Sequence, residues 1–177
     1  KNLEETEKAK ACYEKAIEID PNHADAYSNL GVIFKELGEL QKAKSWYEKA
    51  IQIRPNHTIA HNNLGIVFKD LRDLKKARYY CEKAIQINPS YVPAHINLGV
   101  VLRGLGDHQK AKECYEKAIQ INPSYAAAHN NLGTLQAHLG KFAEAMVAYR
   151  QAIKIKPDYA EAHNNRGNAL RELKKIE

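Results

Sequence analysis

The chain has no long apolar run. Its longest hydrophobic stretches fall far short of the roughly 20 residues that cross a bilayer, so no membrane-spanning helix and no membrane contact are expected. The first ten residues, Lys1 to Lys10, are charged and lack the apolar centre of a secretory leader. Cysteine is scarce as well. Cys12, Cys81 and Cys114 are odd in number and widely spaced, with no C-x-x-C pair, which excludes a disulfide framework and a zinc ribbon. They read as small packing residues in a reducing compartment, and a cytoplasmic location is expected. Equally absent are a glycine-rich phosphate loop, an H-E-x-x-H helix and a nucleophile elbow. The expectation is a chain that is not an enzyme and holds no cofactor.

What is present is charge and repetition. Lysine and arginine number 27 against 21 aspartates and glutamates, a net charge of +6 in 177 residues. Opposite charges are interleaved, as in "KAKECYEKAI", so most of them form a solvated helical surface. The positive balance permits an acidic partner. Nucleic acid is not expected, because there are no interleaved exposed aromatics on which bases would stack.

Prolines stand at Pro21, Pro55, Pro89, Pro123 and Pro157, a strict spacing of 34, with only Pro93 outside the series. In step with them run Leu30, Leu64, Leu98 and Leu132, each followed by glycine, and two rows of alanine through Ala43 and Ala50. A fixed period of this length marks a stack of identical supersecondary units. Within residues 24–57, Tyr27, Leu30, Gly31 and Phe34 line one face of a first helix. Gly38 is placed to end it in the left-handed conformation. Ala43, Trp46, Tyr47, Ala50 and Ile51 stripe a second helix, which Pro55 terminates. A glycine inside a helix costs about 0.5–1 kcal/mol relative to alanine, so its return every 34 residues implies close contact between helix axes.

These residues resemble the tetratricopeptide repeat: Leu-Gly, an aromatic, alanines flanking a large aromatic, and a closing proline, as in "YSNLGVIFKELGELQKAKSWYEKAIQIRP". The resemblance covers essentially the whole chain. It implies an all-α fold, a right-handed α-solenoid of antiparallel helix hairpins, with first helices on the concave face. Residues 1–177 are then a single array. Residues 1–23 supply the second helix of a partial repeat, 24–57, 58–91, 92–125 and 126–159 are full repeats, and 160–177 supply a first helix. Stopping mid-unit at both ends predicts exposed packing faces and end-to-end self-association. Three departures stand out. Cys81 replaces a tyrosine, Gln136 replaces Phe34, Phe68 and Leu102, and Arg72 replaces a capping glycine.

The strongest candidate site is a row of asparagines, Asn29, Asn63, Asn97, Asn131 and Asn165, each just before the Leu-Gly position or its equivalent. Asparagine is a mediocre helix residue, and its carboxamide matches the donors and acceptor of an extended main chain. The row predicts capture of an extended peptide or protein segment in the concave groove. The competing structural reading has each amide bonding across to the next hairpin. The preceding row has drifted through Ser28, Asn62, Ile96, Asn130 and Asn164. The asparagine row resembles the superhelical repeats attached to O-linked N-acetylglucosamine transferases, which implies substrate recruitment to an appended enzyme. An assembly platform using the convex face or array ends is the other alternative.

A second row is basic: Lys35, Lys69, Arg103 and Arg171, with Ala137 as its gap. Six residues beyond the asparagines, or about 240° net around the helix, it falls on an adjoining edge. It would steer an acidic partner segment. The clamp that some members of this family use for a terminal carboxylate is not expected, because Asp25, Ile59, Pro93, Ala127 and Glu161 supply no cation. His61, His95, His129 and His163 also recur at 34, where Tyr27 stands in the first full repeat. One hairpin apart, they cannot converge at the roughly 2.0–2.1 Å a metal requires, so they are expected to pack.

Overall fold

The computed structural model describes residues 3–174, and among them are ten α-helices and no strand. They are α1 (Leu3–Ile19), α2 (Ala24–Glu36), α3 (Leu40–Ile53), α4 (Thr58–Asp70), α5 (Leu74–Ile87), α6 (Val92–Gly104), α7 (His108–Ile121), α8 (Ala126–His138), α9 (Phe142–Ile155) and α10 (Ala160–Leu173). The outermost residues of the two partial repeats, 1–2 and 175–177, lie outside the described residues. The helices fall into two compact units that divide between Ala94 and His95. In the first, α2 packs on α3 and α4 on α5. In the second, α8 packs on α9, and α9 on α10.

The turn inside each hairpin follows from its glycine. Gly38, Gly106 and Gly140 have φ of 78°, 81° and 74°. The Gly38 N–H donates to the Lys35 carbonyl and the Glu39 N–H to that of Phe34, at 3.0 and 2.9 Å. This pair of bonds closes a Schellman cap and satisfies carbonyls the helix leaves orphaned. Arg72 adopts the same geometry with φ 65°, a left-handed non-glycine residue, and its cap bonds at 3.0 and 2.9 Å are intact. The backbone therefore tolerates arginine there at a strain cost. At the other end, Arg54, Asn88, Asn122 and Lys156 are all extended, with φ between −127° and −138°. Each precedes a proline of the series, whose ring disfavours the helical region in the residue before it.

Glycine within the helices permits close approach. A Cβ built on Gly31 would lie 2.6 Å from the Tyr47 ring, one on Gly99 2.5 Å from Tyr115, and one on Gly133 2.8 Å from Tyr149. A Cβ on Gly65 would lie 2.7 Å from Cys81 Sγ, so even the smaller side chain fills that space. A Cβ on Gly167 would meet nothing within 4 Å outside its own helix. No described second helix follows α10 in the chain.

One packing expectation needs correction. Cys81 is buried and Cys114 half-buried, but Cys12 is exposed. It stands on α1, which precedes every first helix and packs only onto α2 among the described elements. In the repeat that carries Gln136, Leu132 is only half-buried, whereas Leu30 and Leu64 are fully buried and Leu98 nearly so.

Candidate functional site

Asn29 is exposed, and Asn63, Asn97, Asn131 and Asn165 are half-buried. The residues just before them in the full repeats, Ser28, Asn62, Ile96 and Asn130, are all buried. On a helix, adjacent residues differ by about 100° in direction, and here that step separates a packing row from an accessible one. In the sequence the preceding row is legible only as variable. Its burial shows that it drifts among residues that suit each neighbouring helix.

The asparagines already make internal bonds. Asn131 Nδ2 donates to the Ala127 carbonyl at 2.8 Å, along its own helix. Asn165 Nδ2 donates to Asn130 Oδ1 at 3.2 Å, linking α10 to α8. Asn63 Oδ1 accepts from Asn62 Nδ2 at 3.2 Å. Asn165 Nδ2 also reaches Thr134 Oγ1 at 3.5 Å. A carboxamide has two donors and an oxygen with two lone pairs, so a single bond such as that of Asn131 leaves capacity over. The bond across to the neighbouring hairpin, one of the two readings above, is realised at Asn165.

The tyrosines that pack on glycine, Tyr47, Tyr115 and Tyr149, are buried. Burial raises the Tyr47 phenol far beyond its usual range, while the nearby Asn63 amide opposes the shift. Burial likewise pushes Tyr115 up to about 12, softened by the Arg103 guanidinium. Tyr149 Oη reaches Thr134 Oγ1 at 3.5 Å, and Thr134 in turn donates to the Asn130 carbonyl at 2.9 Å. Asn63 thus neighbours a buried phenol, and Asn165 Nδ2 reaches, at 3.5 Å, the Thr134 hydroxyl that Tyr149 contacts.

The basic residues lie in the last turns of α2, α4, α6 and α10. That position has its own cause, because the helix carboxyl end carries partial negative charge. Lys35, Lys69 and Arg103 are half-buried and Arg171 is exposed. Lys69 lies 3.2 Å from Asp70, and Arg171 3.8 Å from Glu172.

The histidines do more than pack. Nε2 of His61, His129 and His163 bonds to the carbonyl of Pro55, Pro123 and Pro157 at 2.8, 2.9 and 2.9 Å. Each brace ties a first helix to the proline turn before it. Sequence periodicity locates these residues, but the i−6 partner is visible only once the turn is folded. Sequence spacing gives no sign of a cluster at the start of α2 and α4. Arg54 clamps Asp25 with two bonds of 3.0 and 2.9 Å, and His57 Nε2 stands 3.1 Å from Asp25 Oδ1. His57 Nδ1 accepts from the Ala60 N–H at 3.4 Å and caps α4. The Arg54 hydrogen bonds hold the Asp25 carboxyl below its ordinary range. Burial lowers His57, against the pull of Asp25. With Asp25 committed to Arg54, this cluster closes the turn between the hairpins.

Models of the tetratricopeptide repeat match residues 24–57, 56–124 and 92–158, and a model of the TPR repeat matches residues 2–38. The chain belongs to the tetratricopeptide-repeat family. Its fold is the all-α solenoid of antiparallel hairpins of that family. YrrB, described as a TPR protein with an unusual peptide-binding site, is 27% identical, with a TM-score of 0.70 over 93% of this chain and 85% of its own. MamA is 26% identical, with a TM-score of 0.72 over 88% of this chain and 91% of its own. TTC0263, a thermophilic TPR protein in Thermus thermophilus, shares the fold at 22% identity, with a TM-score of 0.83 over 95% of this chain and 92% of its own. No curated protein matches the sequence. Among the described residues of this tetratricopeptide-repeat chain, no cluster of histidine, cysteine, aspartate and glutamate is placed to hold a metal ion. No described helix is long and apolar enough to cross a membrane. Family and fold are those of protein-interaction scaffolds.

Proposed function

We propose that the first-helix face of this chain holds an extended polypeptide by its main chain, through Asn29, Asn63, Asn97, Asn131 and Asn165. The observation that carries this reading is the contrast between neighbouring rows: the asparagines are reachable from solvent, while the residues before them in the full repeats are buried. Amides fitted to a repeating peptide backbone at repeating positions recognise extension, not side-chain identity. Lys35, Lys69 and Arg103, at the ends of the same helices, bias selection toward acidic segments. The peptide-binding site described for YrrB lends support from a chain of the same family. The asparagine row's resemblance to repeats of O-linked N-acetylglucosamine transferases extends the reading to substrate recruitment by an appended enzyme.

The test uses peptides selected by this chain from a random display library. Changing Asn63, Asn97 and Asn131 together to alanine removes three amide contacts of about 1 kcal/mol each. Affinity for the selected peptides is expected to fall on the order of 100-fold. Unchanged affinity would rule out the asparagine row.

A second reading concerns the ends, and Gly167 favours it. Its four counterparts each meet a second-helix side chain, whereas it meets nothing. Tyr13 on α1 is half-buried, although its counterpart Tyr47 is fully buried. The α10 of one copy and the α1 of another together make a complete hairpin, with Gly167 against Tyr13 as Gly31 is against Tyr47.

A further inference from the structure

In the first two full repeats, one ring on the second helix plugs the hairpin. Trp46 stacks on Phe34 at 6.1 Å and tilts against Tyr27 at 5.8 Å. Tyr80 does the same with Phe68 at 5.3 Å and His61 at 6.0 Å. The counterparts in the fourth full repeat are His129, Gln136 and Ala148. Two of the three rings are gone, including the plug.

A cleft of about 670 Å³ opens at that place, between α7 and α9 and over α8. Its lining includes His129, Gln136 and Ala148, and it reaches Leu132, the position sealed in every other full repeat. The corresponding cleft between α3 and α5 has a similar volume, about 660 Å³, but Tyr80 stands in its lining, and neither Leu64 nor Phe68 is reached. Depth, not size, distinguishes the two. The floor of the α7–α9 cleft is mainly apolar, with His129 and Gln136 as its polar members. Gln136 Oε1 is buried without a hydrogen-bond partner, while its amide nitrogen donates to Glu144 at 3.3 Å. On the rim, Val147 is 65% exposed. Glu116 and Glu144 have cationic neighbours in Lys112 and Lys141 at 3.4 and 3.9 Å. Arg150 and Lys154 make no ion pair among the described residues, so the unpaired charge of the rim is positive.

We propose that this cleft binds an acidic protein segment through one tryptophan or tyrosine side chain, seated where Trp46 and Tyr80 sit in the earlier repeats. The incoming ring lies between His129 and Gln136, over Leu132. The ring fills the space left by the missing second-helix aromatic, and its polar edge faces the open mouth of the cleft. Acidic neighbours of the ring meet Arg150 and Lys154. The site involves none of the asparagines and stands independently of the reading above.

The test is an amide-resolved NMR titration of the full chain with three capped tripeptides, Asp-Trp-Asp, Asp-Ala-Asp and Lys-Trp-Lys. Asp-Trp-Asp is expected to shift the resonances of His129, Gln136, Val147 and Ala148, with a Kd of about 1 mM as befits so small a ligand. Asp-Ala-Asp leaves them unmoved, and Lys-Trp-Lys binds roughly fivefold more weakly for want of two exposed ion pairs. Ala148→Trp restores the residue type of the first full repeat and abolishes binding with no loss of thermal stability. A Gln136→Phe variant provides a second block, should the tryptophan be accommodated elsewhere. Equal binding of Asp-Trp-Asp to both variants, or no shift at ten times that concentration, overturns the proposal. Equal binding of Lys-Trp-Lys overturns its acidic part.

Discussion

A single methyl group is enough to probe the contact between paired helices. Gly31→Ala improves helix propensity by up to about 1 kcal/mol, yet drives Cβ into the Tyr47 ring at 2.6 Å. Overpacking of this kind costs about 1–3 kcal/mol, so a net loss is expected as a lower urea midpoint. Gly167→Ala meets open space and gains about 0.5–1 kcal/mol in the same assay. The tyrosines add a pH signature. An unfolded phenol ionises near 10, whereas Tyr115 in the fold keeps its proton to about 12. The folded state therefore prefers the protonated form. Its contribution is whole below pH 10 and is lost as pH rises from 10 toward 12, to a total of about 3 kcal/mol. Tyr115→Phe should flatten that alkaline decline, read from urea midpoints at successive pH values. The need for glycine was legible in the sequence because its 34-residue return makes no sense as helix propensity. The shifted phenols were not, since burial depends on what the neighbouring hairpin places above them.

Among the helices, second-helix starts differ in their caps. Asp73 and Asp107 accept from the N–H groups of Lys76 and Lys110 at 3.0 and 3.3 Å. Lys141, at the same place before α9, makes no side-chain cap. Lys141→Asp is expected to raise stability by about 1 kcal/mol, measured as an increase in the urea midpoint. Helix identity, turn type and proline stops were all legible at this scale, because each depends on residues a few positions apart. The Arg54–Asp25–His57 cluster was not. It spans 29 residues between Asp25 and Arg54 and exists only when three helix ends meet. The open α7–α9 cleft escaped for the same reason. Gln136 stands out singly in the sequence, and Ala148 looks like one more small residue, but the two losses coincide only inside the folded hairpin. The basic row is found by spacing, while its place in the last turn of each helix supplies a local electrostatic cause that spacing does not suggest.

At the largest scale, Gly167 on α10 and Tyr13 on α1 are less covered than their counterparts in the full repeats. Head-to-tail pairing of Gly167 with Tyr13 of a second copy joins unlike surfaces, so it does not close into a dimer but continues. Sedimentation should show a mean mass that climbs with concentration above the 20.0 kDa of the single chain. Gly167→Leu should hold it at that value, because the leucine occupies the space the tyrosine ring would take. A mass independent of concentration in the unaltered chain would discard the second reading and leave the asparagine row untouched.

Packing confined to neighbouring helices also has a bearing on the order of events during synthesis. A ribosome delivers 34 residues in about 2–7 s, whereas helices and short-range hairpins form within microseconds. Each hairpin can therefore close and dock on its predecessor before the next emerges. The nascent chain then shows the chaperones of the cell one bare apolar flank at a time, and never a whole unfolded core.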